Sequence, residues 1–146
     1  MRKINYIVVH CSATREGCTL TSEALEAEHR RRGFRTTGYH YYIRRDGTVL
    51  GTRSLELPSA HCRGHNKYSI GICYEGGLDA RGNPKDTRTP EQRSALHLLV
   101  YQLLQQFRNA RVCGHRDLSP DLDGDGTVEP WEWVKQCPCF EVSKEF

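Results

Sequence analysis

INYIVVHCSAT, Ile4 to Thr14, is the stretch from which the architecture follows. Its short apolar, β-branched run has the pattern of a buried strand, and that strand closes on His10. A strand end that delivers an imidazole is a frequent place for chemistry. Downstream, TSEALEAEHRRRG (Thr21 to Gly33) starts on small polar residues, ends on basic ones and stops at a glycine, which describes a helix with sensible ends. GYHYYIRRDGTVLGTRS reads as two strands joined at Asp46-Gly47, because that pair suits a tight hairpin turn. Alternation then puts Tyr39, Tyr41 and Ile43 on one face and His40 with Tyr42 on the other.

YSIGICYEGG (Tyr68 to Gly77) is a further strand, followed by the polar loop LDARGNPKDTR. TPEQRSALHLLVYQLLQQF then opens with Thr89 as N-cap and Pro90 at the first helical position. Leu96, Leu99, Val100, Leu103, Leu104 and Phe107 recur at helical spacing, so this helix lays one apolar stripe on a sheet. RVCGHRD supplies a last short strand ending near His115. Strands and helices in mixed order, with one long covering helix, define an α/β fold. The expectation is a single domain over residues 1–146 with a central mixed β-sheet flanked by helices and the functional site at one edge of the sheet.

The 146 residues carry a net charge of only +3, with basic and acidic side chains interspersed apart from HRRRGFR (His29 to Arg35). That run falls on the first helix and reads as a solvated helix face, so nucleic acid is not expected as a partner. No apolar run approaches the length of a membrane span or a Sec-type signal, and a monomer made in the cytoplasm is expected. The cysteines number seven, an odd count without a secretory signal. They read as mostly reduced, at least one serving a metal, with a disulfide involving Cys11 as the alternative.

Ligand-bearing residues stand at the ends of elements: His10 after the first strand, His115 after the last, and Cys137 or Cys139 near the C-terminus. Two imidazoles and a thiolate would satisfy a catalytic zinc and leave one position open. Their spacing matches no local zinc pattern, and each histidine alone is more often a surface or hydrogen-bonded residue than a ligand.

Taken in order, VVHCSAT, GYHYYIRRDGTV, SAHCRGHNKYSIGICYEGG, TPEQRSAL, GHRD and KQCPCF resemble the phage-lysozyme-like N-acetylmuramoyl-L-alanine amidases. These are type 2 amidases, grouped with the peptidoglycan recognition proteins, and the resemblance runs from Ile7 to about Phe140. It implies zinc held by His10, His115 and Cys137, with Cys137 preferred to Cys139 because a proline follows it. It also implies that Tyr39 and Lys135 act on the reacting amide, that His61 lines the substrate groove, and that Asn66 is a weaker candidate beside it. The implied reaction is hydrolysis of the amide between N-acetylmuramic acid and L-alanine in peptidoglycan, reached after release or export. The alternative is a module that binds muropeptides without cutting them. His40 reads as a structural hydrogen-bonder, and Asp117 either orients His115 or serves a turn.

One segment departs from the phage enzymes. DLDGDGTVEPWE (Asp121 to Glu132), in an insertion spanning residues 119–132, places Asp121, Asp123, Asp125, Thr127 and Glu132 at positions 1, 3, 5, 7 and 12 of a calcium loop, with Glu129 at position 9. Pro120 opposes a preceding helix, while Glu132 to Lys135 could begin a following one. A bound Ca2+ is one reading of this pattern. The alternative is a solvated Asp/Gly turn that lets Trp131 and Trp133 cover part of the domain.

Overall fold

The computed structural model describes residues 2–146. Strand β1 (Tyr6–Cys11) is followed by β2 (Thr14–Arg15), helix α1 (Ser22–Arg31), β3 (Tyr41–Ile43), β4 (Val49–Gly51), β5 (Ser69–Tyr74), β6 (Gly77–Leu78), helix α2 (Pro90–Gln106) and β7 (Arg111–Gly114). Five strands form one sheet in the order β4-β3-β5-β1-β7, and β2 pairs with β6 beyond it. β1, β3, β5 and β7 run parallel, while β4 alone is antiparallel to its neighbour. The sheet is therefore mixed, as expected. Its parallel strands bring their C-terminal ends to a common rim, where open α/β sheets build their crevices.

All six residues of β5 are buried, because helices cover both faces. On one face Ile7, Val9, Ile43, Ile70 and Ile72 meet Leu96, Leu99, Val100 and Leu103 of α2. Each such side chain contributes roughly 1.5–3 kcal/mol by leaving water. Leu104 and Phe107 of the same stripe are only partly buried. Thr89 and Gln92 form a reciprocal cap at the start of α2, and Gln92 Nε2 donates to the carbonyls of Ile43 and Glu75. One polar side chain thus fixes the helix to the ends of β3 and β5. On the opposite face, Leu25 of α1 packs on Tyr42 and Cys73.

Three expectations need correction. Regular pairing starts only at Tyr41, so Tyr39 escapes the alternation and packs with Tyr42 rather than with Tyr41 and Ile43. His29 is not part of a solvated face: it lies four residues after Leu25, is buried, and accepts the Gly38 N–H at Nδ1 (2.8 Å), while the arginines after it are exposed. No helix begins at Glu132; the chain makes one 3-10 turn at Pro130–Glu132 and leaves it through Trp133 in extended conformation. Trp133 packs under the Arg116 guanidinium (3.8 Å), whereas Trp131 is 64% exposed.

Candidate metal centre

Strand alternation turns His10 away from the α2 face, to which Val9 and Cys11 belong, onto the side of its ladder partner Cys73. His115 begins a 3-10 turn straight after the edge strand β7, and Asp117 closes that turn by accepting the Gly114 N–H (2.7 Å). Asp117 therefore serves the turn.

Cys137 arrives from far along the chain. Phe140 and Val142 are anchored in the α2-side core, and the Tyr74 hydroxyl donates to the Pro138 carbonyl (2.6 Å). Arg116 N–H donates to the Cys137 carbonyl (2.9 Å), and Cys11 N–H donates to Cys137 Sγ (3.2 Å). The C-terminal segment thereby crosses the rim of the sheet and holds the thiol beside β1. Arg88 clamps the far side, its guanidinium 3.4 Å above the Phe140 ring and paired with Asp86 and Glu145.

Donor atoms of His10, His115 and Cys137 lie within 4.8 Å of one another. Tetrahedral zinc with imidazole and thiolate ligands sets its donors about 3.4–3.8 Å apart, so small side-chain shifts would close the set on an ion. Burial holds the His10 imidazole well below its usual pKa, with its neighbours His61, His115 and Lys135 adding to the effect. It is therefore neutral, the state a metal ligand requires.

Around the three donors is a cavity of about 220 Å³ lined by Tyr39, His61, Lys135, His29 and Arg32. The Tyr39 ring lies 5.0 Å from His10 and 5.4 Å from His29. Its enclosed surroundings, with the thiols Cys73, Cys137 and Cys11, push the phenol well above its ordinary pKa, so it remains a proton donor. Lys135 is exposed at the mouth, where it and His115 also border a second cavity of about 420 Å³.

His61 does more than line this space. Its Nδ1 is 2.6 Å from His10 Nε2, and its Nε2 is 2.9 Å from Ser69 Oγ. Burial and the nearby positive groups hold His61 down at about 3, so it stays neutral. The ring lies so close over β5 that a Cβ on Gly71 would come within 2.9 Å of it. Asn66 is not among the described residues lining the cavity; its Oδ1 accepts the N–H groups of His61 and Cys62 (both 2.9 Å) and so shapes the loop that presents His61. His40 is a hydrogen-bonding core residue, accepting the Gly71 N–H at Nδ1 (3.1 Å).

The sequence reading missed His29, although its four-residue offset from Leu25 signals a shared buried face. It named Cys11 as a disulfide candidate without a partner; Cys139 Sγ lies 3.9 Å from Cys11 Sγ.

In the acidic loop two groups of carboxylates converge, Asp121-Asp123-Glu132 and Asp123-Asp125-Glu129, each with donor atoms within 4.8 Å. Asp121 accepts N–H groups from Gly124 and Gly126, Asp125 accepts that of Thr127, and Glu132 accepts those of Leu122, Asp123 and Glu129. Glu129 Oε2 is buried without a partner. Carboxylate neighbours Glu132 and Asp125 push Glu129 up to about 8.

This fold, with imidazoles and a thiol gathered at the rim of a mixed sheet, defines an amidase-like class, and the chain belongs to the N-acetylmuramoyl-L-alanine amidase family, whose model matches residues 1–138. The endolysin of Klebsiella phage KP32 is 34% identical over 143 residues, covering 98% of this chain and 85% of its own. Among solved structures, the N-acetylmuramoyl-L-alanine amidase LysC from Clostridium intestinale URNW superposes with a TM-score of 0.75 at 26% identity, covering 99% of this chain and 82% of that one. The ectodomain complex of peptidoglycan recognition proteins LCa and LCx with tracheal cytotoxin matches with a TM-score of 0.71 at 25% identity, over 99% of this chain and 81% of that one. Among the described residues no helix is long and apolar enough to cross a membrane.

Proposed function

We infer that this chain hydrolyses the amide between N-acetylmuramic acid and L-alanine in peptidoglycan, with zinc held by His10, His115 and Cys137. The observation carrying this reading is the convergence of those three donors in a cavity that Tyr39 and Lys135 also line. When bound there, zinc would polarise the amide carbonyl and acidify a water molecule. The rest of the chemistry falls to the side chains. Lys135 offers a fixed positive charge to the oxyanion that develops as the carbonyl is attacked. Tyr39, held protonated, donates a hydrogen bond to the reacting amide or passes a proton to its leaving nitrogen. His61, fixed by Ser69, orients the imidazole of His10 through its second nitrogen.

Mass spectrometry of digested cell walls tests the reaction directly. Free stem peptides beginning with L-alanine are expected; glycan fragments carrying intact stems would refute it. Binding of muropeptides without release of peptide would instead mark a recognition module, as the likeness to the tracheal cytotoxin complex allows.

His61 separates orientation of a ligand from contact with substrate. His61→Ala is expected to weaken zinc affinity by roughly 10–100-fold, as loss of an imidazole's supporting partner does elsewhere. Competition with a chromogenic chelator measures it, and unchanged affinity with raised KM would assign His61 to the groove alone.

The acidic loop carries a smaller proposal, a single Ca2+ held by Asp121, Asp123, Asp125, Glu132 and the Thr127 carbonyl. Its support is the pair of converging carboxylate groups, which share Asp123. At 100 times its Kd, Ca2+ would add about 2.7 kcal/mol and raise Tm by roughly 5–10 °C. A chelator-treated, zinc-replete sample showing no shift on adding Ca2+ would end the idea.

A further inference from the structure

We propose that Cys11 and Cys139 form a disulfide when the folded protein enters an oxidising compartment, and that this bond reserves Cys137 for metal. The setting rests on the reading above, since peptidoglycan lies outside the cytoplasm; the geometry does not.

Cys11 stands between two thiols. Its Sγ is 3.9 Å from Cys139 Sγ, while its N–H lies 3.2 Å from Cys137 Sγ and its carbonyl 3.9 Å from the same atom. In an oxidising environment Cys11 therefore has two candidate partners, one of them a proposed metal ligand. A bond to Cys137 would remove a donor from the cluster; a bond to Cys139 would leave all three in place. Both backbones are already held: Cys11 ends a strand paired through Tyr74, and Cys139 N–H donates to the Gln136 carbonyl (2.8 Å) just beyond the Tyr74–Pro138 bond. From 3.9 Å, the sulfurs must approach by about 1.9 Å to reach bonding distance, a movement that side-chain rotation can supply. Cys139 is the more exposed of the two and so is the site of first attack.

The oxidant is a low-molecular-weight disulfide such as oxidised glutathione. Cys139 sulfur attacks one glutathione sulfur, the S–S bond breaks, and one glutathione leaves as its thiol. Cys11 sulfur then attacks the mixed disulfide at Cys139 and expels the second glutathione. Two thiol protons and two electrons pass to glutathione, and one protein S–S bond forms. Both cysteines are largely enclosed, so the exchange is slow.

The experiment treats the zinc-loaded protein with oxidised glutathione and follows thiols, zinc and peptide map together. With Cys18→Ser introduced so that this exposed thiol cannot take up glutathione, the protein is expected to lose about 2 Da, to yield one peptide pair linking Cys11 to Cys139, and to keep its zinc. Closing so long a loop should also raise Tm by roughly 10 °C. Cys139→Ser under the same oxidant should release zinc as Cys11 pairs with Cys137. A map with no link, or with Cys137 in the link, overturns the proposal, as does a Cys139→Ser variant that keeps zinc as well as its parent. The map also separates this idea from the amidase reading, because the bond forms whether or not cell wall is cut.

Discussion

Replacing Cys137 with alanine is expected to take the zinc content from one ion per chain to near zero and to lower kcat/KM for peptidoglycan by at least about 10³-fold. Two imidazoles would remain, and a pair of neutral donors without the thiolate is a poor zinc site. The fold should survive. Cys137 is only partly buried, while Phe140, Val142 and the Tyr74–Pro138 hydrogen bond keep the segment in place. Compared as metal-free proteins, variant and wild type should differ by no more than about 1 kcal/mol. Elemental analysis with a wall-clearing assay measures both effects, and a variant retaining one zinc and full activity would remove Cys137 from the site.

Lys135→Ala should behave in the opposite way, keeping zinc while kcat falls by roughly 10²–10³-fold, the usual cost of losing one oxyanion partner. Lys135 is exposed at the cavity mouth, so its loss should change stability by less than about 0.5 kcal/mol. Lys135→Arg retains the charge and should recover part of the rate. If KM rises while kcat is unchanged, the side chain binds substrate and does not act on the transition state.

Local pattern made the elements legible. The apolar run of β1, the capped amphipathic α2 and the Asp46-Gly47 hairpin are each decided within a few residues, and the resemblance to the amidases supplied the rest of the frame. Contacts set by the end of an element were harder to read. Tyr39 lies two residues before pairing begins, so alternation could not assign its face. Asn66 reads as a polar residue in a groove loop, yet its oxygen bonds that loop's own N–H groups. The donors His10, His115 and Cys137 were named from strand ends and resemblance, but the bond from His61 to His10 depends on Gly71 making room for a ring, which only packing reveals.

The path of the C-terminal segment across the sheet rim has a consequence for timing. As the chain is synthesised, His10 emerges first and β7 with His115 follows more than a hundred residues later; the third donor comes only with Cys137. Its seat depends on Tyr74 gripping Pro138 and on Phe140 and Val142 entering a core already built by β1, β5 and α2. The three donors therefore cannot meet in a partly made chain. A chain ending in the loop after His115 would lack the third donor, so the cluster proposed to hold metal is completed only by the C-terminal segment.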